Sequence, residues 1–169
     1  MTMVMYVPAS VTQSTVEEWR RALDDLPCLD FRLGAGSVVP HDCDAQVIKF
    51  HLVHDRYGGT PEVGKSQVLT NTRGDGSPAL IVATPPFASG PEVTDPVELE
   101  GRTHFTFSHC LDEISRLNSI RPGAIARVLI HIEGLGLEEI GREPSIIGPR
   151  RALTQRTEHD SENLVPRPA

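Results

Sequence analysis

The sequence predicts an α/β protein in which helices flank a central mixed sheet in three layers. Short apolar runs rich in branched residues alternate along the chain with segments of helical periodicity, which is typical of this class. Two of the runs, Ser66–Thr70 and Ala79–Ala83, are joined by a turn containing Gly and Pro, which predicts a hairpin. A length of 169 residues suits one domain, predicted over residues 1–157, with a flexible tail at 158–169.

The first elements are a strand and a helix. Met3–Val7 is a short apolar run closed by Pro8, which predicts an edge strand. Ser14 and Glu17 have the spacing of a capping box, in which each side chain binds the other residue's backbone amide. The apolar residues that follow recur at helical spacing until Pro27 ends the pattern: Val16, Trp19, Ala22, Leu23 and Leu26.

The next segments are predicted as strands. Residues 29–33 alternate between apolar and polar side chains, and Ala45–Val53 has the branched composition of a central strand. The residues from His54 to Gly59 are then expected to form a loop, and Phe87–Arg102 is expected to form a surface loop because it is rich in Pro, Gly and acids.

The C-terminal third contains a helix, a strand and a further helix. Apolar residues at helical spacing predict an amphipathic helix around Cys110 that ends before Pro122. The branched run starting at Arg127 predicts a buried strand, and residues 144–156 predict a last helix. Arg150, Arg151 and Arg156 on that helix are interpreted as a solvated face, or as a contact for a ligand phosphate or an acidic partner.

Composition excludes several function classes. A formal charge of -7 and a pI near 5.4 argue against binding to nucleic acid or to an anionic membrane surface. No stretch approaches the roughly 20 apolar residues of a spanning helix, and the N-terminus lacks a secretory signal. Three widely spaced cysteines, Cys28, Cys43 and Cys110, form neither a disulfide framework nor a zinc pattern, so a cytoplasmic protein is expected.

The best candidate binding loop is Gly134–Gly141, which follows the branched run. Ligands of open α/β sheets bind where strands end, and glycine lets backbone amides approach a phosphate. Gly58 and Gly59 could supply a second such turn. The alternative for Gly134–Gly141 is a plain strand-to-helix turn, since short glycine motifs occur by chance.

His54 and Asp55 are the most reactive pair in the sequence. At a strand end they could act as general base and orienting carboxylate, and the alternative is a solvated loop pair. A metal site from His51 and His54 with Asp42 or Asp44 is not predicted, because ligands on opposite faces of a strand converge poorly. Arg73-Gly74-Asp75 is interpreted as part of a turn.

Four segments together resemble a macro domain, the ADP-ribose-binding α/β module. Pro61–Leu69 looks like the family's segment that leads into a strand, and Leu80–Pro85 is similar to its next strand. The Cys110-Leu111 pair lies where the family has a helix often written "CL". Gly134–Gly141 resembles the family's second phosphate loop, whose amides hold the diphosphate.

The resemblance implies a divergent module that binds ADP-ribose or a related nucleotide, without cofactor or metal. It implies that hydrolysis of ADP-ribosyl derivatives, if any, uses Asp55 or His54, with His54–Gly59 bordering the distal ribose. The implied ligand-binding residues are Gly58, Gly59, Gly134, Leu135, Gly136, Leu137 and Gly141.

Two departures from the family pattern favour an alternative function. Leu33–Ser37 offers no carboxylate where the family reads adenine, and the asparagines of its first loop have no counterpart. The alternative is a degenerate scaffold without ligand that serves as a protein-interaction or structural subunit.

Overall fold

The computed structural model describes residues 2–7, 13–23, 25, 29–33, 42–87, 95–131 and 148–155. The strands are β1 (Thr2–Val7), β2 (Leu29–Leu33), β3 (Ala45–Ile48), β4 (Gln67–Thr70), β5 (Leu80–Ala83) and β6 (Arg127–His131). The helices are α1 (Gln13–Leu23), α2 (Phe50–Tyr57), α3 (Pro96–Ile120) and α4 (residues 148–155). The predicted tail at 158–169 and the predicted Gly134–Gly141 loop lie outside the described residues.

The strands form one mixed sheet in the order β2-β1-β6-β3-β5-β4. The first five strands of this order pair in parallel, and only the β4–β5 pair is antiparallel. The predicted mixed sheet and the predicted hairpin are therefore confirmed. Parallel pairing requires long connections between strands, and α1, α2 and α3 each lie within one of them.

Helices cover both faces of the sheet, which gives the predicted three layers. Val47 and Val82 belong to a core cluster that includes residues of α1, α3 and α4. Their strand neighbours Ile48 and Ile81 point to the other face, where they pack with Val53 of α2. Helix α2 therefore lies alone among the described helices on its face.

Helix α4 is held against the rest of the fold by a close approach and two ion pairs. A Cβ on Gly148 would lie 2.6 Å from the carbonyl oxygen of Glu100, so only glycine fits there. Arg150 makes a two-pronged pair with Asp25 at 2.7 and 2.8 Å, and Arg151 pairs with Glu100 at 2.9 Å. Both arginines remain partly exposed, as a solvated face requires, and each is paired with a carboxylate of the same chain; Arg156 lies outside the described residues.

The predicted edge position of β1 is wrong. β1 pairs with β2 on one side and β6 on the other, so it lies inside the sheet. Its apolar run, with Met3 and Val4 almost fully buried, is typical of a parallel strand covered on both faces. Helix α1 begins at Gln13, one residue before the predicted cap Ser14, which is within the usual uncertainty of helix ends.

The predicted strand Ala45–Val53 is wrong in its second half. β3 ends at Ile48, and Phe50–Tyr57 is the helix α2 rather than strand and loop. Phe50, Val53 and Tyr57 have the spacing i, i+3, i+7 and pack on the sheet together. A short apolar run is compatible with both the two-residue period of a strand and the 3.6-residue period of a helix. This run changes from strand to helix at Lys49.

The predicted loop Phe87–Arg102 is wrong from Pro96 onward, where α3 begins. Asp95 caps this helix by accepting a hydrogen bond from the Glu98 amide at 3.3 Å, and Pro96 occupies the first turn. Both are ordinary helix-start signals that the acidic, Pro-rich composition concealed. Across the described residues, α3 included, no helix combines the length and apolar character needed to cross a membrane.

Candidate functional site

The candidate site lies at the carboxyl edge of the parallel strands. There β3, β5 and β6 end side by side, because Val47 is paired with both Val82 and Ile130. β3 continues into α2 on one face, whereas α1, α3 and α4 pack on the other. Adjacent strands whose helices leave to opposite faces open a crevice, which is where open α/β sheets bind their ligands.

The N-terminus of α2 lies at this edge of the sheet. Its first amide, that of Phe50, donates to the Oγ1 of Thr84 at 3.0 Å, and Thr84 directly follows β5. Thr84 is buried, and its own amide donates to the carbonyl of Ile48 at 3.0 Å. The start of α2 is therefore fixed to the end of the neighbouring strand.

The charge at this helix end is positive. The N-cap residue is Lys49, the first turn carries no acidic residue, and the side chain of His51 is exposed. A helix N-terminus contributes about half a positive charge of its own. In a chain with a formal charge of -7, this local reversal of sign favours an anionic group.

The opposite end of α2 lies at the amino edge of the strands. The turn between β4 and β5 is at that edge because it leads into β5, and the Tyr57 hydroxyl donates to Asp75 in this turn at 2.9 Å. Asp75 also accepts from the Asn71 side chain at 2.9 Å and from the Ser77 amide at 3.0 Å. Arg73-Gly74-Asp75 is thus part of a turn, as predicted.

These hydrogen bonds shift two pKa values in this network. The Asn71 amide and the Ser77 backbone amide hold the pKa of Asp75 well below its usual value, since both bind the charged form. Burial, followed by the bond to Asp75, raises the pKa of Tyr57. Both groups are therefore kept in their ordinary ionisation states, which suits a structural role.

The predicted pair His54 and Asp55 does not form a catalytic dyad. Both residues lie in α2, where successive side chains diverge, and Asp55 is exposed. The His54 Nδ1 lies 2.9 Å from the Gly58 carbonyl oxygen, which only accepts, so Nδ1 carries the proton and donates. His54 closes the end of its own helix.

Gly58 and Gly59 form the turn that ends α2. Their φ angles of 83° and 77° lie in the left-handed region that favours glycine. A Cβ on Gly59 would lie 3.2 Å from the His54 Nδ1 and 3.3 Å from the Leu69 side chain. The turn follows the carbonyl end of a helix, which is the end that repels a phosphate. The predicted binding role of these glycines stays a prediction.

The other predicted binding residues, Gly134, Leu135, Gly136, Leu137 and Gly141, lie outside the described residues. The strand that precedes them is confirmed, since β6 ends at His131 next to β3. The end of β6 therefore lies at the same edge of the sheet as the end of α2 that carries Lys49, and not at the edge of Gly58 and Gly59.

Metal and thiol chemistry find no support in the described part of the chain. It contains no group of three or more His, Cys, Asp or Glu side chains arranged to hold a metal ion. Asp44 instead accepts from the Ala126 and Arg127 amides, both at 2.9 Å, and thereby fixes the start of β6.

Burial raises the pKa of the Cys110 thiol to about 12, which disfavours the reactive thiolate form, and the side chain belongs to the core.

Sequence reasoning missed Thr84, which joins α2 to β5, because its partner amide is 34 residues away. It also missed Asp75 as the centre of a network. A local signal for the latter existed, since Asn and Asp in a Gly-rich turn bind backbone amides.

No protein-family model matches this chain, and no curated protein matches it. The resemblance to a macro domain therefore depends on the quoted sequence segments alone.

Proposed function

We propose that this protein is a divergent macro-domain-like module that binds ADP-ribose or a related nucleotide at the carboxyl edge of its sheet. The phosphates would lie at the N-terminus of α2, between Lys49 and the segment that follows β6. The proposal differs from the sequence-based hypothesis in one respect, because it assigns no ligand contact to the His54–Gly59 end of the helix.

The observation that carries the proposal is the fixed, positively charged start of α2. Thr84 holds the first amide of the helix at the end of β5, so the N-terminus of α2 lies at the carboxyl edge of the sheet, and its first turn carries no acidic residue. Backbone amides at such an end bind phosphate without needing several basic side chains. An acidic protein can therefore still bind an acidic nucleotide.

The position of β6 supports the same conclusion. The Gly134–Gly141 segment starts three residues beyond His131, which ends a strand paired with β3. A diphosphate needs donors from two directions, and two neighbouring strand ends can provide them.

The geometry favours binding over hydrolysis. His54 is engaged with Gly58, and Asp55 points away from it into solvent. These residues also lie toward the amino edge of the strands, away from the start of α2. An assay for hydrolysis of ADP-ribosyl derivatives should therefore follow the binding measurement.

A calorimetric titration of ADP-ribose, with AMP and ADP as comparison ligands, tests the proposal. Lys49→Gln should weaken ADP-ribose binding by about tenfold to a hundredfold, because a charge-assisted hydrogen bond contributes roughly 1.5–3 kcal/mol. The matched control is Arg121→Gln, which removes one positive charge from an exposed residue at the far end of α3. Gly136→Glu should abolish binding while leaving the melting temperature unchanged.

Equal affinities for wild type, Lys49→Gln and Gly136→Glu would show that the ligand binds elsewhere. No heat with any of the nucleotides at millimolar concentration would overturn the proposal. The degenerate scaffold that binds a protein partner would then be the better account.

A further inference from the structure

The two outer strands of the sheet differ in charge. β2, on one side, contains Asp30 and Arg32, and charged residues are a common means of keeping an outer strand from pairing with another chain. β4 is the outer strand on the other side, and residues 66–70 read Ser-Gln-Val-Leu-Thr, without a charge or a proline. The charge that precedes them, on Lys65, is paired with Glu62. β4 therefore lacks the usual sequence protection against pairing.

Every second residue along β4 directs its backbone away from β5. The Asn71 amide donates to the Ala79 carbonyl at 2.8 Å, in line with the register of the β4–β5 pair. Bonded and unbonded pairs alternate in an antiparallel ladder, so the odd-numbered residues of this strand bond to β5. The amides and carbonyls of Ser66, Val68 and Thr70 therefore point outward. Within the described ranges, no hydrogen bond reaches these outward groups.

The connection from α2 to β4 leaves this side of the strand open. It passes over the face of β4 that packs on α2, because Gly59 lies against the Leu69 side chain and the Gln67 side chain donates to the Thr60 carbonyl at 2.8 Å. Thr70 is exposed. Another strand can therefore approach β4 in the plane of the sheet.

Both core clusters of the protein reach β4 without being closed there. Val68 packs on the cluster that includes residues of α3, and Leu69 packs on the cluster beneath α2. Both side chains remain half-buried, whereas Ile81 and Val82 of the neighbouring strand are fully buried. A strand added beside β4 would cover both side chains and so bury apolar surface on each face of the sheet.

The outward-facing residues of β4 are arranged symmetrically, which identifies the added strand. Ser66 and Thr70 both carry hydroxyls and lie at equal distances from Val68. A two-fold dimer needs a surface that complements itself. Antiparallel pairing about Val68 sets Val68 opposite its own copy and Ser66 opposite Thr70 of the second copy, and each of these pairs can exchange both backbone hydrogen bonds. Lys65 then falls opposite the uncharged Asn71, so no like charges meet.

We propose that β4 is the interface of a two-fold dimer, in which two copies of this chain join their sheets into one continuous sheet with Val68 on the axis. The proposal goes beyond nucleotide binding and does not depend on it, since the interface contains no residue of the start of α2.

Sedimentation velocity at protein concentrations from about 10 µM to 1 mM tests for the dimer, because a single strand pair forms a small interface and hence a weak association. Wild type should change from monomer to dimer over this range. Thr70→Lys should weaken dimerisation by about tenfold or more, since lysine on an outer strand opposes pairing. Ser119→Lys is the matched control, because it adds the same charge at an exposed position near the end of α3.

Cysteine variants test the register of the pairing. Opposite residues of a bonded pair have Cα atoms about 5.5 Å apart, which a disulfide can bridge. Val68→Cys should therefore form an intermolecular disulfide on mild oxidation. Thr70→Cys should not, because its two copies would lie more than about 13 Å apart. Thr70 is the more exposed residue, so random collision would favour the opposite result. Wild type reports any disulfides of the native cysteines.

The outcomes decide between this dimer and its alternatives. A wild-type monomer at the highest concentration would overturn the proposal and leave β4 open to a strand of another protein. Equal dimerisation of Thr70→Lys and Ser119→Lys would place any dimer elsewhere on the surface. A disulfide that forms at least as fast in Thr70→Cys as in Val68→Cys would contradict the register. Equal melting temperatures of the two lysine variants show that unfolding is not the cause of a lost dimer.

Discussion

The two ends of α2 differ in what their polar groups do. At its C-terminus, Tyr57 donates to Asp75 and His54 donates to Gly58, so the side chains there bind other parts of the chain. At its N-terminus, one buried hydroxyl, that of Thr84, holds the first amide, and the Lys49 and His51 side chains lie around it. Both ends are positioned by residues far away in sequence.

We therefore assign the C-terminus of α2 a structural role and propose its N-terminus as the binding end. Hydrogen bonds within the protein at the C-terminus fix the helix and leave little capacity for a ligand. The N-terminus is fixed by the bond from the Phe50 amide to Thr84 and by bonds from the Leu52 and Val53 amides to the Lys49 carbonyl, and its first turn carries no acidic residue. The helix dipole acts in the same direction, since its N-terminus attracts anions and its C-terminus repels them.

The largest effect is expected at the joint between α2 and β5. Thr84→Val keeps the shape of this buried side chain but leaves the Phe50 amide without its acceptor. Because an unpaired buried donor is costly, the free energy of unfolding should fall by about 1–3 kcal/mol in urea titrations. Thr70→Val, a change at an exposed position of β4, is the control and should have little effect. Equal effects of the two changes would contradict the capping role of Thr84.

A smaller loss is expected at the other end of the helix. Tyr57→Phe removes one hydrogen bond and should lower the free energy of unfolding by about 1 kcal/mol without changing nucleotide affinity. A double-mutant cycle with Asp75→Ala, which removes the acceptor, measures the coupling between the two side chains. Strictly additive effects would mean that the observed contact does not stabilise the protein.

The smallest effect is a pH dependence of the same network. The folded-state pKa of Asp75 is depressed, so its contribution is fully present above its unfolded pKa of about 4 and is lost as the pH falls through the folded pKa. The pKa of Tyr57 is raised, so its contribution is fully present below about pH 10 and is lost at higher pH.

Urea midpoints of wild type and Asp75→Asn, measured between pH 3 and 6, test the predicted loss of the Asp75 contribution at low pH. Their difference should narrow steadily as the pH falls below about 4. A constant difference over that range would show that ionised Asp75 does not stabilise the fold.

Most of the fold could be predicted from the sequence, because strands and helices have different apolar periods. The hairpin joining β4 to β5 and the amphipathic part of α3 both have strong local signals. The edge position of β1 depended on strand order, which no local pattern encodes, whereas the two errors in element type lie where a local signal was mixed. Ala45–Val53 is apolar throughout yet changes from strand to helix at Lys49, and the start of α3 has the composition of a loop.

The candidate site was harder to predict, since it depends on which residues the topology brings together. Gly58 and Gly59 have the sequence of a phosphate-binding turn, but glycine with positive φ is also what ends a helix. Local sequence does not distinguish the two uses. The contact between Thr84 and Phe50, and the approach of Phe87 to α3, depend on pairings that no short motif records.

The most direct test is to follow the backbone amides of the protein by NMR while ADP-ribose is added. The account predicts that the largest shifts fall at residues 49–52 and at Thr84 and Phe87, with small shifts at 54–59 and 71–77. Shifts concentrated at 54–59 would contradict it, because the ligand would then lie at the end of α2 that we assign to structure.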